Sequence, residues 1–221
     1  MSWFVNFVIR VYTRIVCRID APDFQKVPMT GPLIVVTNHT GQVEVPLFYA
    51  HLQPRRMTAW AKIEAWDYPI MHWVFNLWGI IPIRRGEADM HALKAAIRAL
   101  DNGYIFGIAP EGTRNRNGIL IRAQPGTVIL ALHTGVPIFP LAHWGGEKLM
   151  KNLKRLKRTD FHIRLGKPFK VDMQGVKVTG EIRQQIVDEM MYKIAELLPP
   201  EYRGVYSDLS KATGKFLVDV D

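Results

Sequence analysis

Cysteine is nearly absent: Cys17 is the only one in 221 residues. A single thiol cannot build a disulfide framework or a thiolate metal site, and it points to a reducing compartment. Long apolar runs are also missing. A transmembrane helix needs about 20 mostly apolar residues in succession. Arg10 and Arg14 interrupt the first candidate, and Asp67, Pro69, His72 and Asn76 interrupt the second. There is no internal repeat and no low-complexity segment, and apolar content is ordinary, so a disordered chain and a multispan membrane protein are both excluded. Acidic residues are in deficit, 20 against 29 Lys and Arg, for a net charge of +9. That balance implies an anionic partner: nucleic acid, lipid headgroups, a phosphorylated substrate or an acidic carrier protein. No recognised nucleic-acid motif accompanies the charge.

What is present is an alternation of short β-branched runs and amphipathic stretches. Strands are expected at 33–36, 57–61, 80–83, 104–109, 136–142 and 161–166. Helices are expected at 43–51, 87–101, 125–134 and 179–198, the final one ended by Pro199-Pro200. Such alternation predicts an α/β fold with a largely parallel central sheet flanked by helices on both faces. Functional groups of such sheets collect at the carboxyl ends of strands. His39, Lys62, Arg85, Glu111 and Arg114 all follow expected strands. Two arginines in that position can offer planar forks to phosphate oxygens. Glu111-Gly112 offers a carboxylate beside backbone that can approach a ligand closely.

His39 and Glu44 stand five apart in Thr37-Asn38-His39-Thr40-Gly41-Gln42-Val43-Glu44. On an unbroken helix they would diverge by roughly 140°, and on a strand an odd step puts them on opposite faces. They meet only if the chain turns, and Gly41 permits a turn. A strand ending at Thr37 and a helix opening near Val43 would bring Glu44 beneath His39, as a carboxylate that orients a general base. Taken alone, the pair is also compatible with an unrelated loop His and surface Glu.

Three further stretches carry a surface signal. Residues 1–20 read as an amphipathic helix, with Phe4, Phe7, Val8, Val11, Ile15 and Ile19 on one face. Core packing and an interfacial location both fit that periodicity. Trp3, Phe4 and the Arg-only charge of the polar side favour the lipid interface. Residues 65–83 hold three of the six tryptophans, suited to an acyl-chain groove or a lipid-seated face as well as to core. Segment 147–158 has six basic residues and one acid, and suits a solvated face, an anionic lipid surface or an acidic carrier. The expected organisation is an interfacial helix at 1–20, a domain at 21–204 and a tail at 205–221.

Four blocks together resemble the glycerolipid acyltransferase family that includes 1-acyl-glycerol-3-phosphate acyltransferases. They are Asn38-His39 with Glu44; Gly79-Ile80-Ile81-Pro82-Ile83-Arg84-Arg85; Ala109-Pro110-Glu111-Gly112-Thr113-Arg114-Asn115; and Val136-Pro137-Ile138-Phe139-Pro140-Leu141-Ala142. The match spans about residues 30–145, and the third block is the most specific. Glu44 stands where the family usually has Asp, Ala109 replaces the usual Phe, and Gln124 replaces a frequent Lys, with Arg122 nearby.

The resemblance implies a glycerol-3-phosphate acyltransferase-like fold and transfer of an acyl group from acyl-CoA or acyl-carrier protein to lysophosphatidic acid, giving phosphatidic acid. It implies His39 as base, Glu44 as its partner, Arg85 and Arg114 as phosphate ligands with Lys62 assisting, and Glu111 with Gly112 at the glycerol. It assigns no oxyanion donor. It requires no metal and no cofactor besides the thioester co-substrate. The implied partners are an anionic membrane surface, a lysophospholipid and acyl-carrier protein, not nucleic acid. The implied location is the cytoplasmic face of a membrane, peripheral or monotopic. The alternatives are another lysophospholipid or glycerol 3-phosphate as acceptor, or a catalytically silent membrane-binding homologue.

Overall fold

The computed structural model describes residues 2–41 and 44–220. Strands β2 (Leu33–Thr37), β5 (Ile105–Ile108), β3 (Met57–Lys62) and β4 (Ile81–Ile83) run parallel side by side. On the other side of β2 lies parallel β6 (Ile138–Trp144), then antiparallel β7 (Thr159–Leu165), then β1 (Cys17–Asp20), parallel to β7. The order is β1-β7-β6-β2-β5-β3-β4, with β8 (Phe169–Val171) joined to β6 and β9 (Leu217–Asp219) joined to β8, both antiparallel.

The two faces follow the two-residue period of a strand. Ile34, Val36, Phe106, Ile108 and Ala142 face one core, covered by α4 (Met90–Asp101), α5 (Ile129–Thr134) and α7 (Gly180–Leu197). Leu33, Val35, Ile105, Phe139 and Leu141 face the other, covered by α2 (Glu44–His51) and by α3 (Pro69–Trp78) through Trp78. Helix α4 starts where Asp89 accepts the Ala92 N–H at 2.9 Å, and α7 starts where Thr179 accepts that of Ile182 at 3.2 Å, both side-chain caps. A largely parallel sheet flanked on both faces is therefore the architecture, as the alternation of elements predicts.

Two expectations need correction. The helix expected over 1–20 is α1 (Ser2–Val16) only, and Cys17–Asp20 continue as β1. Ile19 falls in phase with the apolar helical stripe, but pairing of Cys17 with Thr159 and Ile19 with Phe161 draws this stretch into the sheet. Asp20 then accepts from Arg164 at 2.6 Å. The tail 205–221 is likewise no appendage: Phe216 is fully buried and β9 extends the sheet. Segment 147–158 contains a short helix, α6 (Leu149–Leu153). The helix start expected at Val43 falls outside the described residues.

Helix α1 is docked with its faces reversed. Its polar side packs inward: Asn6 and Thr13 are buried, Trp78 donates its Nε1–H to Asn6 Oδ1 at 3.1 Å, and Arg10 donates to the Ala50 carbonyl at 2.6 Å. Its apolar side, Phe4, Phe7, Val8, Val11 and Ile15, faces solvent, with Trp3 at 76 % exposure. Ordinary core packing predicts the opposite orientation. Among the described residues no helix is long and apolar enough to cross a membrane.

Candidate active site

Strand β2 delivers His39 two residues past its carboxyl end, and α2 begins at Glu44. The turn between them closes: His39 Nδ1 lies 2.8 Å from Glu44 Oε1, which also accepts the Gly41 N–H at 2.9 Å. Gly41 serves here through its N–H. A Cβ on it would meet Glu44 Oε2 at an ordinary 3.6 Å, so its conformational freedom is not what makes the turn.

Glu44 is 2 % exposed. Burial pushes its pKa up, but the hydrogen bonds from His39 and from the Gly41 N–H help to outweigh that, and it comes down to about 2. Glu44 is therefore a carboxylate at neutral pH and can only accept, so His39 Nδ1 carries the proton and Nε2 is the basic nitrogen. The His39 side chain keeps 19 % exposure, which leaves it accessible from solvent. A carboxylate-oriented imidazole of this kind can abstract a proton from a hydroxyl.

Behind it stands a second histidine. Asn38 donates Nδ2–H to the His143 carbonyl at 2.8 Å and accepts the His143 N–H at 3.0 Å, so its side chain continues the β2–β6 pairing beyond Thr37 and Leu141. The His143 ring donates Nε2–H to the Asn38 carbonyl at 2.7 Å. That ring is fully buried, stacked on Phe161 and edge-on to Phe48, and burial pushes its pKa down, so it stays neutral. Three bonds to Asn38 fix the residue that aims His39. The sequence blocks did not single out His143. Yet it follows an expected strand just as His39 does, and that placement was the available signal.

The third sequence block closes on the first. The Asn115 N–H donates to the His39 carbonyl at 2.8 Å. Glu111 is 2 % exposed, and its pKa is pushed up to about 8 by burial, against the lowering effect of the His39 and Ile121 N–H groups and with a further rise from the Glu44 charge. Two carboxyl groups thus differ in protonation within one site: Glu44 ionised, Glu111 largely protonated at neutral pH. Gly112 has φ +67°, and a Cβ there would come within 3.2 Å of Gln124 Cγ, so glycine is required.

Residues 118–123 are held from outside by the chain after α7. The Leu120 N–H bonds the Tyr202 carbonyl at 2.9 Å and the Ala123 N–H bonds Tyr206 Oη at 3.1 Å. This clasp also escaped sequence reasoning, because Tyr202 lies past the helix-closing prolines and Tyr206 in the supposed tail.

The side chains of Lys62, Arg85 and Arg114 are exposed and make no hydrogen bond or ion pair among the described residues. Each lies at the carboxyl end of β3, β4 or β5, on the edge that carries His39. At about 4.8 Å per strand, β4 stands about 14 Å from β2. The structure thus gathers Asn38, His39, Gly41, Glu44, Glu111 and His143 into one bonded unit and leaves the three cations as a rim along the same edge. Beside that rim, a groove of about 400 Å³ is lined by Ile63, Arg84, Asp89, His91 and Arg98. Among the described residues no group of three or more His, Cys, Asp or Glu could hold a metal ion.

A largely parallel α/β sheet with a carboxylate-held histidine at its carboxyl edge is an arrangement able to take a proton from a hydroxyl. More narrowly, the chain belongs to the Acyltransferase family, whose model matches residues 18–144. A 1-acyl-sn-glycerol-3-phosphate acyltransferase of Pseudomonas aeruginosa is 24 % identical over 86 % of this chain and 75 % of its own. A chloroplastic 1-acyl-sn-glycerol-3-phosphate acyltransferase of Brassica napus is 24 % identical over 80 % of this chain and 50 % of its own. A lyso-ornithine lipid O-acyltransferase of Pseudomonas aeruginosa is 30 % identical over 69 % of this chain and 64 % of its own. The chain thus spans about half the length of some curated relatives it matches. The crystal structure of the 1-acyl-sn-glycerophosphate acyltransferase PlsC from Thermotoga maritima superposes with a TM-score of 0.64 at 22 % identity, over 89 % of this chain and 79 % of that one, and shares the fold.

Proposed function

We propose that this protein transfers an acyl group from a thioester, acyl-CoA or acyl-carrier protein, to the free hydroxyl of lysophosphatidic acid, giving phosphatidic acid for glycerolipid synthesis. The observation that carries this reading is the 2.8 Å bond from His39 Nδ1 to a buried, ionised Glu44. His39 Nε2 takes the hydroxyl proton while the oxygen attacks the thioester carbon. The tetrahedral intermediate collapses, the carbon–sulfur bond breaks, and the proton passes from His39 to the departing thiolate. No metal and no cofactor beyond the thioester enters this scheme. Such general-base help is worth roughly 10²–10⁴ in rate.

Arg85 and Arg114 bind the acceptor phosphate, with Lys62 assisting, and their unpaired guanidinium groups on the catalytic edge support that role. Glu111 and Gly112 meet the glycerol. Largely protonated, Glu111 can donate as well as accept. The working location is the cytoplasmic face of a membrane, held peripherally. Its support is the outward apolar face of α1, together with exposed Tyr68, Ile70 and Trp73 at α3.

The test is transfer of labelled acyl-CoA and acyl-carrier-protein thioesters to lysophosphatidic acid in lipid, with lyso-ornithine lipid and glycerol 3-phosphate as competing acceptors. Transfer to lysophosphatidic acid that His39→Ala abolishes is expected. Wild-type inactivity with both donors would leave a silent membrane-binding homologue, and preference for a phosphate-free acceptor would remove the role given to Arg85 and Arg114.

A further inference from the structure

Leu156 is 97 % exposed, and its φ is +53°. It sits where the chain leaves α6. Its N–H bonds the Leu153 carbonyl at 3.0 Å, and the Lys157 N–H bonds the Asn152 carbonyl at 2.9 Å. These paired bonds are a Schellman ending, whose left-handed position favours glycine. Folding therefore gains nothing from a leucine here: the backbone is strained and the side chain is left in water. Around it Lys151, Lys154, Arg155 and Lys157 are exposed and have no ion-pair partner among the described residues. The nearby acids are engaged elsewhere: Glu147 with Tyr202 at 2.8 Å and Asp160 with Arg18 at 3.5 Å.

This knob is fixed in space relative to α1. Arg158 donates to the carbonyls of Arg14 at 2.7 Å and Cys17 at 2.6 Å, tying the knob to the end of α1, where Ile15 is exposed. Topology sets its side of the sheet. β6 runs parallel to β2 and β7 returns antiparallel, so the excursion from Gly145 to Arg158 leaves and re-enters at the edge that carries His39.

We propose that this excursion is an anionic-lipid docking knob: Leu156 enters the acyl region while Lys154, Arg155 and Lys157 bind phosphate-bearing headgroups, holding the catalytic edge against the bilayer. It rests on the membrane placement proposed above. Charge complementarity and continuity with the apolar face of α1 favour a lipid surface over an acidic carrier protein, which would have no use for a lone leucine beside that face.

The test measures co-sedimentation with phosphatidylcholine vesicles made with or without phosphatidylglycerol, a readout independent of turnover. Joint replacement Lys154→Gln, Arg155→Gln and Lys157→Gln should weaken partition onto anionic vesicles on the order of a hundredfold, with little change on neutral ones. Leu156→Gly should weaken partition by about tenfold or more while leaving the thermal midpoint unchanged or raised, since glycine suits the left-handed position. Wild-type partition by Leu156→Gly, or equal loss on both vesicle types by the triple variant, overturns the proposal. Variants that bind vesicles normally but lose transfer only from acyl-carrier protein would assign the knob to that carrier instead. A wild-type protein that ignores both vesicle types would remove the membrane placement itself.

Discussion

The two halves of the candidate site are built in opposite ways. Around His39 the neighbours are bonded: buried Glu44 to the ring, Asn115 to the carbonyl, and buried Asn38 to His143. Around Arg85, Arg114 and Lys62 the side chains are exposed and make no bonds among the described residues. The difference matches the demands of the chemistry. A base must have one tautomer and one orientation before substrate arrives, which a low-dielectric bonded nest enforces. A phosphate clamp gains by staying hydrated until its anion binds, since burying unpaired guanidinium groups would be costly.

If that contrast is right, changes in the nest should cut turnover and changes in the rim should cut acceptor affinity. The largest effect is expected from His39→Ala, a loss of roughly 10²–10⁴ in kcat with acceptor KM little changed. An acyl-transfer assay at saturating acceptor checks this.

Next, His143→Phe keeps a ring between Phe161 and Phe48 but removes the proton held on the Asn38 carbonyl. The Asn38 carbonyl then keeps only the long 3.4 Å bond from Thr37 Oγ1, and weakening a buried hydrogen bond costs about 1 kcal/mol, so the thermal midpoint should fall by a few degrees. Slack at Asn38 should also lower kcat about tenfold or more. Unaltered kcat in a folded His143→Phe would show that Asn38 needs no such support. For the rim, Arg85→Ala and Arg114→Ala should each raise acceptor KM about tenfold or more, with smaller effects on kcat. The reverse pattern would break the comparison.

The last effect concerns stability alone and is confined to alkaline pH. Burial holds the Glu111 carboxyl up to about 8, above its ordinary value near 4.5. Its neutral form is favoured by the fold, so its contribution is full below about 4.5 and is lost as pH rises through 8. Glu111→Gln should therefore match the wild type in thermal midpoint at pH near 4.5 and exceed it at pH above 8. Parallel midpoint curves across that window would remove the claim that Glu111 is held protonated.

Much of the sheet was legible because the signals are local. Leu33–Thr37 is a compact apolar run, and α4 and α7 carry side-chain caps at their starts. What was missed is non-local. β1, β8 and β9 are three or four residues long and exist only because a distant partner pairs with them. The same holds in the site. The His39–Glu44 pair lies within one turn, so its spacing gave it away. His143 meets Asn38 across 105 residues, through strand pairing that no local pattern announces. Helix α1 was legible in its periodicity, and Trp3, Phe4 and the Arg-only polar side favoured an outward apolar face; what was not legible is the docking of its polar face on the Ala50 carbonyl and the Trp78 indole.

The central claim is that a charged carboxylate at position 44 holds His39 as the base. Acyl-transfer rates of Glu44→Gln and Glu44→Asp, measured side by side on folded protein, test it most directly. Glu44→Gln keeps the length and removes the charge, so it should lose on the order of 10²–10⁴ in kcat. Glu44→Asp keeps the charge and shortens the reach by one methylene, so it should retain far more activity. Equal rates for the two variants would contradict the account.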